Sequence, residues 1–193
     1  LQPLLKEMVR RTPDLFCEHL GPVRGRLLEA LANGTSSWRD AAIELTGNPL
    51  GARARELLPI WKKGLAEIMG SETGIAVQRA TLAPLLEQAW QWCHDFGLET
   101  ERALSLFLDI RVQNGSIEPH CKARIMDRFT PGMPLRDRLM IVAEERAAGV
   151  GGRMRGNVLN RKMCIITGKG DVDGCAYDLT KQFGLTDEVV LDS

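Results

Sequence analysis

Between positions 104 and 112 apolar side chains fall on nearly every side of a helix. Leu104, Leu106, Phe107, Leu108, Ile110 and Val112 leave almost no solvent-facing stripe. A helix of that kind belongs at the centre of a fold. Thr100 is placed to cap its start, and the polar corner Gln113-Asn114-Gly115-Ser116 ends it. One carboxylate, Asp109, interrupts the apolar run. A bare charge inside a core is too costly, so Asp109 must be paired, hydrogen-bonded or shifted in pKa.

The remaining pattern is also helical. Thr12-Pro13-Asp14 reads as a helix start, with Thr at the N-cap and Pro at the first helical position. Gly21 stops that helix, Pro22 opens the next, and Asn33-Gly34 ends it. Ser36 or Ser37 is placed to cap a helix through Trp38 and Leu45. Leu57, Leu58, Trp61, Leu65 and Ile68 then recur at three- and four-residue spacings, an amphipathic signature. Pro59 within this stretch, and Pro84 within the next helix (75 to about 96), are expected to kink or split their helices. Leu82, Leu85, Leu86, Ala89, Trp90, Trp92 and Cys93 place that second stretch deep in the fold. Further helices are expected from Pro119, from Pro134 to 148, over 153–167 and in a short piece before Gly184. The segment from Gly168 to Gly174 reads as a glycine- and aspartate-rich loop. Strand character is confined to 163–166 or 188–191. The expectation is all-α: one domain, one core, little or no strand.

Composition narrows the partners. The 193 residues carry 25 Lys+Arg and 25 Asp+Glu, so charge gives no reason to expect nucleic acid or an anionic membrane. No apolar run reaches the roughly 20 residues that span a bilayer. Leu1 opens inside an amphipathic pattern without a visible signal segment, which reads as synthesis in the cytoplasm and as a piece of a longer protein. Cys17, Cys93, Cys121, Cys164 and Cys175 are scattered and odd in number, and read as buried free thiols.

Most chemistries lack their residues. His19, His94 and His120 lie near cysteines without the spacing of a zinc site. Asp171-Val172-Asp173-Gly174 has no calcium ligand ladder and reads as an aspartate-capped turn. No nucleophile elbow or phosphate loop is present, and no cofactor is expected. Carboxylates remain. Asp109 and the pair Glu144-Glu145 are candidates for a site, and the alternative is an Asp109 anchored by Arg102 or Arg146 with solvated glutamates. Trp38, Trp61, Trp90 and Trp92 could stack on sugar rings, although their helical spacing suits core positions.

Two stretches carry a resemblance. FLDIRVQNGSI (107–117), followed by Arg153-Met154-Arg155, Asn160-Arg161-Lys162, Gly168-Lys169-Gly170, Gly174 and Tyr177-Asp178-Leu179, resembles the C-terminal helical part of lysozyme-like, chitosanase-related peptidoglycan hydrolase domains. Such domains occur in phage lysins and in antibacterial effectors of type VI secretion systems. The opening LQPLLKEM is similar to a helix of the same domains. The resemblance implies a muramidase-like glycoside hydrolase, acting on the cell wall in the periplasm of a target cell, with Asp109, Gln113 and Asn114 on a central helix behind the sugar cleft. It also implies that the catalytic glutamate and its acidic partner lie upstream of Leu1. No catalytic acid is carried onto this chain, and Asp109 or Glu145 is only a weak substitute. The rival expectation is a non-enzymatic helical module that binds a secretion or immunity partner.

Overall fold

The computed structural model describes residues 2–21, 24–34, 40–41, 52–149, 154–172 and 174–189. Among these the chain is all-α apart from one small hairpin. In order come α1 (Gln2–Arg11), α2 (Pro13–Leu20), α3 (Arg24–Asn33), α4 (Ala52–Gly70), α5 (Glu72–Phe96), α6 (Glu101–Asn114), α7 (Pro119–Arg128), α8 (Leu135–Ala148), α9 (Met154–Thr167), β1 (Lys169–Val172), β2 (Cys175–Asp178) and α10 (Leu179–Phe183). The helix anticipated from Ser36 or Ser37 through Leu45 lies outside the described residues, except for positions 40 and 41.

The chain divides into two compact units, Leu1–Ala83 and Pro84–Ser193, and the boundary falls inside α5. Where the apolar spacing reads as one core, the buried apolar side chains among the described residues gather into two clusters. In the first unit Leu5, Met8, Phe16, Leu20, Leu27 and Ile68 form the centre. Gly64 on α4 lies against the end of α2, where a Cβ would collide with the His19 carbonyl and the Leu20 side chain. Only glycine permits that approach.

In the second unit α6 is the hub. Leu106, Phe107 and Ile110 are fully buried, and each contributes about 1.5–3 kcal/mol of burial. Phe107 stacks on Phe96 of α5, with ring centroids 5.4 Å apart. Thr100 caps α6 as its position implies, its hydroxyl accepting the Ala103 amide at 3.2 Å. The polar corner terminates α6 through Gly115 (φ 85°), whose carbonyl accepts from Arg111 at 2.6 Å. Val112 is 56% exposed, so α6 keeps one outward-facing position the apolar run did not reveal.

Several expectations change. Thr12 precedes α2 but its hydroxyl donates back to the Met8 carbonyl at 2.9 Å and caps nothing. Pro59 and Pro84 split neither α4 nor α5; both prolines are exposed, so water can satisfy the carbonyl each leaves without a donor. On α5 only part of the apolar set is deep: Ala89, Trp92 and Cys93 are buried, while Leu82 and Leu86 are each 44% exposed. The glycine-aspartate loop is an antiparallel hairpin, pairing Lys169 with Asp178 and Val172 with Cys175. Residues 163–166 belong to α9. Near 188–191 the expected strand is an isolated bridge from Val189 to Thr100. Asp171 does cap its turn, accepting the Gly174 amide at 3.0 Å; Asp173 lies outside the described residues. Three thiols, Cys93, Cys121 and Cys164, are buried, but Cys17 and Cys175 are exposed.

Candidate functional site at the end of the central helix

Asp109 sits on the third turn of α6, 7% exposed, one turn before Gln113. Its partners are neither Arg102 nor Arg146. Arg102 turns to the Asp187 carboxylate and to the Ile165 carbonyl, 2.7 Å away. The partners of Asp109 come from α9, which packs beside α6: Arg161 Nε donates to Oδ1 at 2.5 Å and Lys162 Nζ to Oδ2 at 3.0 Å. Lys162 Nζ also reaches Gln113 Oε1 at 3.2 Å. One buried ammonium thus joins two of the three residues singled out on α6. Asn114 stands at the same helix end, and its Oδ1 is buried without a donor.

Lys162 is fully buried. Burial holds its pKa below the ordinary lysine value, the Asp109 carboxylate pulls it back up, and the Arg161 and Arg146 guanidiniums press it down again. Arg146, in the last turn of α8, has a buried Nε with no hydrogen-bond partner. Two cations, Arg161 and Lys162, therefore meet on one carboxylate. Arg161 keeps 44% of its side chain exposed, so the excess positive charge reaches the surface there.

Glu144 and Glu145 take no part in this cluster. Glu145 accepts from Arg124 at 2.8 Å and from Arg128 at 2.9 Å, and Glu144 from Arg128 at 2.6 Å. Arg124, and then Arg128, hold the Glu145 carboxyl below the ordinary glutamate range, which is opposite to what a general acid needs. Trp92 is buried and Trp90 packs against the same core, both in core roles. Trp38 and the Trp61 side chain lie outside the described residues.

The composition of the Asp109 cluster was missed, but a signal existed. Val158, Lys162 and Ile166 recur every four residues, and all three are buried. A lysine at the middle position of such a stripe must meet an anion, and Asp109 is the carboxylate of the neighbouring apolar helix.

Two grooves of the second unit are lined by Glu101, Leu104, Ser105, Ile165, Leu179, Phe183 and Leu185, and by Arg102, Leu135, Arg136, Thr167 and Asp187. Their carboxylates are already engaged: Glu101 accepts from the Thr186 hydroxyl at 2.6 Å and amide at 3.0 Å, and Asp187 pairs with Arg102. No three of His, Cys, Asp and Glu gather as metal ligands among the described residues. No helix among them is long and apolar enough to cross a membrane. None of the protein-family models, curated proteins or solved structures compared with this chain matches it.

Proposed function

We propose that this chain is the helical lobe of a muramidase-like glycoside hydrolase that acts on bacterial peptidoglycan. The observation that carries the reading is a junction. The two stretches that bear the resemblance, 107–117 and 153–179, are remote in sequence and are tied by Asp109 to Arg161 and Lys162 and by Lys162 to Gln113. In this reading Asp109 is a positioning residue. It holds the back wall of a cleft, with Gln113 and Asn114 at the wall's polar edge, while the pair of carboxyls that glycoside hydrolysis requires belongs to a region preceding Leu1. The substrate is a glycan strand of alternating amino sugars, and no metal or cofactor enters the chemistry.

The test uses purified cell wall and this 193-residue chain. Sedimentation with the wall is expected to show weak binding, and reducing-end release is expected to stay close to background. Release at the rate of a complete muramidase would place the general acid within the chain and overturn the assignment of roles. Absence of any binding would remove the glycan reading.

A second reading, a non-enzymatic module for a secretion or immunity partner, is favoured by one specific observation. The groove between α6, α9 and α10, about 530 Å³, is walled by Leu104, Ile165, Leu179 and Leu185, with Phe183 at its edge 70% exposed. Open apolar surface of that kind suits a protein partner better than a sugar. Phe183→Ser that leaves wall binding intact but abolishes capture of a purified partner would select this reading.

A further inference from the structure

We propose that the cavity where the first turn of α8 meets the last turn of α9 binds a short-chain carboxylic acid. Its carboxylate meets Arg102 and Arg136, and its chain lies on Leu135, Leu139 and Ile166. The cavity has a volume of about 200 Å³ and is lined by these five residues with Thr167 and Asp187. The apolar side belongs to the core, since Leu139 is fully buried and Ile166 nearly so. The charged side holds two guanidiniums and one carboxylate, which leaves one positive charge over. Thr167 turns its hydroxyl away, to the carbonyls of Met163 and Lys169 at 2.8 and 2.7 Å.

Arg102 is the fixed part of the site. It is only 8% exposed, with Nε on Asp187 and Nη1 on the Ile165 carbonyl. Gly168 lies against it at φ 78°, and a Cβ there would come within 3.2 Å of Nη1. The fold therefore sets this guanidinium before any ligand arrives. Its Nη2 has no acceptor among the described residues and yet is not sealed from solvent. Arg136 is exposed and makes no hydrogen bond or ion pair with a described residue, so it can turn to an anion beside Arg102. Guanidiniums bind planar carboxylates through paired N–H donors. Asp187 stays in place, because Thr186 is held by Glu101 and the Glu188 carbonyl accepts the Glu101 amide at 3.0 Å. With that carboxylate fixed, one negative charge brings the group to neutrality, and a dianion is repelled. The apolar residues take the chain, and each buried methylene adds affinity until the space is filled. The site rests on neither functional reading above.

The test titrates acetate, propionate, butyrate and octanoate into the isotope-labelled chain at constant ionic strength, with chloride as the reference anion. Binding is read by nuclear magnetic resonance from the arginine Nε–H signals and the backbone amides of Leu135 to Leu139. Saturable shifts are expected there and not with chloride. Affinity is expected to rise about fourfold per methylene from acetate to butyrate and to fall at octanoate, which the cavity cannot hold. Malonate, a dianion, is expected to bind more weakly than propionate. Arg136→Gln alters an exposed side chain without partners, so it is expected to fold as wild type and to bind butyrate about tenfold more weakly. Asp187→Asn removes the repelling carboxylate and is expected to bind butyrate more tightly. A peptide with a free aliphatic C-terminus separates two sources of the carboxylate. Binding tighter than butyrate, and lost in Arg136→Gln, assigns it to a chain end, and weaker binding assigns it to a free acid. No saturable shift, an affinity indifferent to chain length, or equal butyrate binding by wild type and Arg136→Gln overturns the site.

Discussion

Two clusters of ionised side chains in the second unit have similar parts and opposite bookkeeping. At the surface between α7 and α8, Glu144 and Glu145 face Arg124 and Arg128, two charges of each sign. At the end of α6, Asp109 faces Arg161 and Lys162. The first cluster is balanced, lies largely in solvent and ties two helices together. The second is unbalanced and includes a fully buried lysine. Exposed pairs contribute little, whereas a buried charge that loses its partner costs several kcal/mol. The exposed cluster is thus balanced, whereas the buried one sets two cations on a single carboxylate.

The largest effect is expected from breaking the unbalanced cluster at its carboxylate, Asp109. Asp109→Asn keeps the shape of the side chain and removes the charge, so Lys162 is left buried without its carboxylate beside Arg161. A loss of about 3–5 kcal/mol is expected, read as a fall in the urea midpoint at unchanged slope. A loss under about 1 kcal/mol would mean that Lys162 escapes to water and that the cluster resembles the surface one. Adding Lys162→Met to Asp109→Asn removes the stranded charge and fills the same space. The double variant is expected to recover about 2 kcal/mol or more of the loss. Failure to recover would place the cost of Asp109→Asn in the Arg161 contact instead.

The contrast also explains what could be read from residues alone. Helix positions were legible wherever local signals agreed, as at Thr100 and Gly115 around α6. The hairpin was not, because Lys169-Gly170-Asp171 and its partner have glycine and aspartate where strands favour branched or aromatic residues. Its position depends on a tertiary contact: Gly170 lies so close to Cys164 that a Cβ there would approach the Cys164 Cβ to 3.0 Å. A single apolar run likewise gave no way to see that α5 serves two cores. For the site, the need of Asp109 for a cation was legible, but its choice was not. Arg102 is nearer in sequence and lies on the same helix. It is instead drawn to Asp187 and the carbonyl end of α9, and the helix that packs alongside supplies the partners.

The smallest effects lie in the pH dependence, and they separate the clusters by sign. Glu145 has a folded pKa lowered from 4.5, chiefly by Arg124 and then by Arg128. Its contribution is therefore present above pH 4.5 and lost as pH falls through the lower, folded value. Lys162 is a base whose folded pKa is lowered from 10.5 by burial. Between the folded value and 10.5 the unfolded chain binds more protons, so the penalty stands in full at lower pH and is relieved as pH rises through that window. Glu145→Gln is expected to flatten the acid limb of a stability–pH curve and to cost no more than about 1 kcal/mol at neutral pH, since Arg124 and Arg128 are nearly half exposed and solvent screens them. Lys162→Met is expected to remove the alkaline rise. Urea midpoints measured from acid to alkaline pH on the two variants decide it. An alkaline-side change in Glu145→Gln would show that the two clusters communicate across α8.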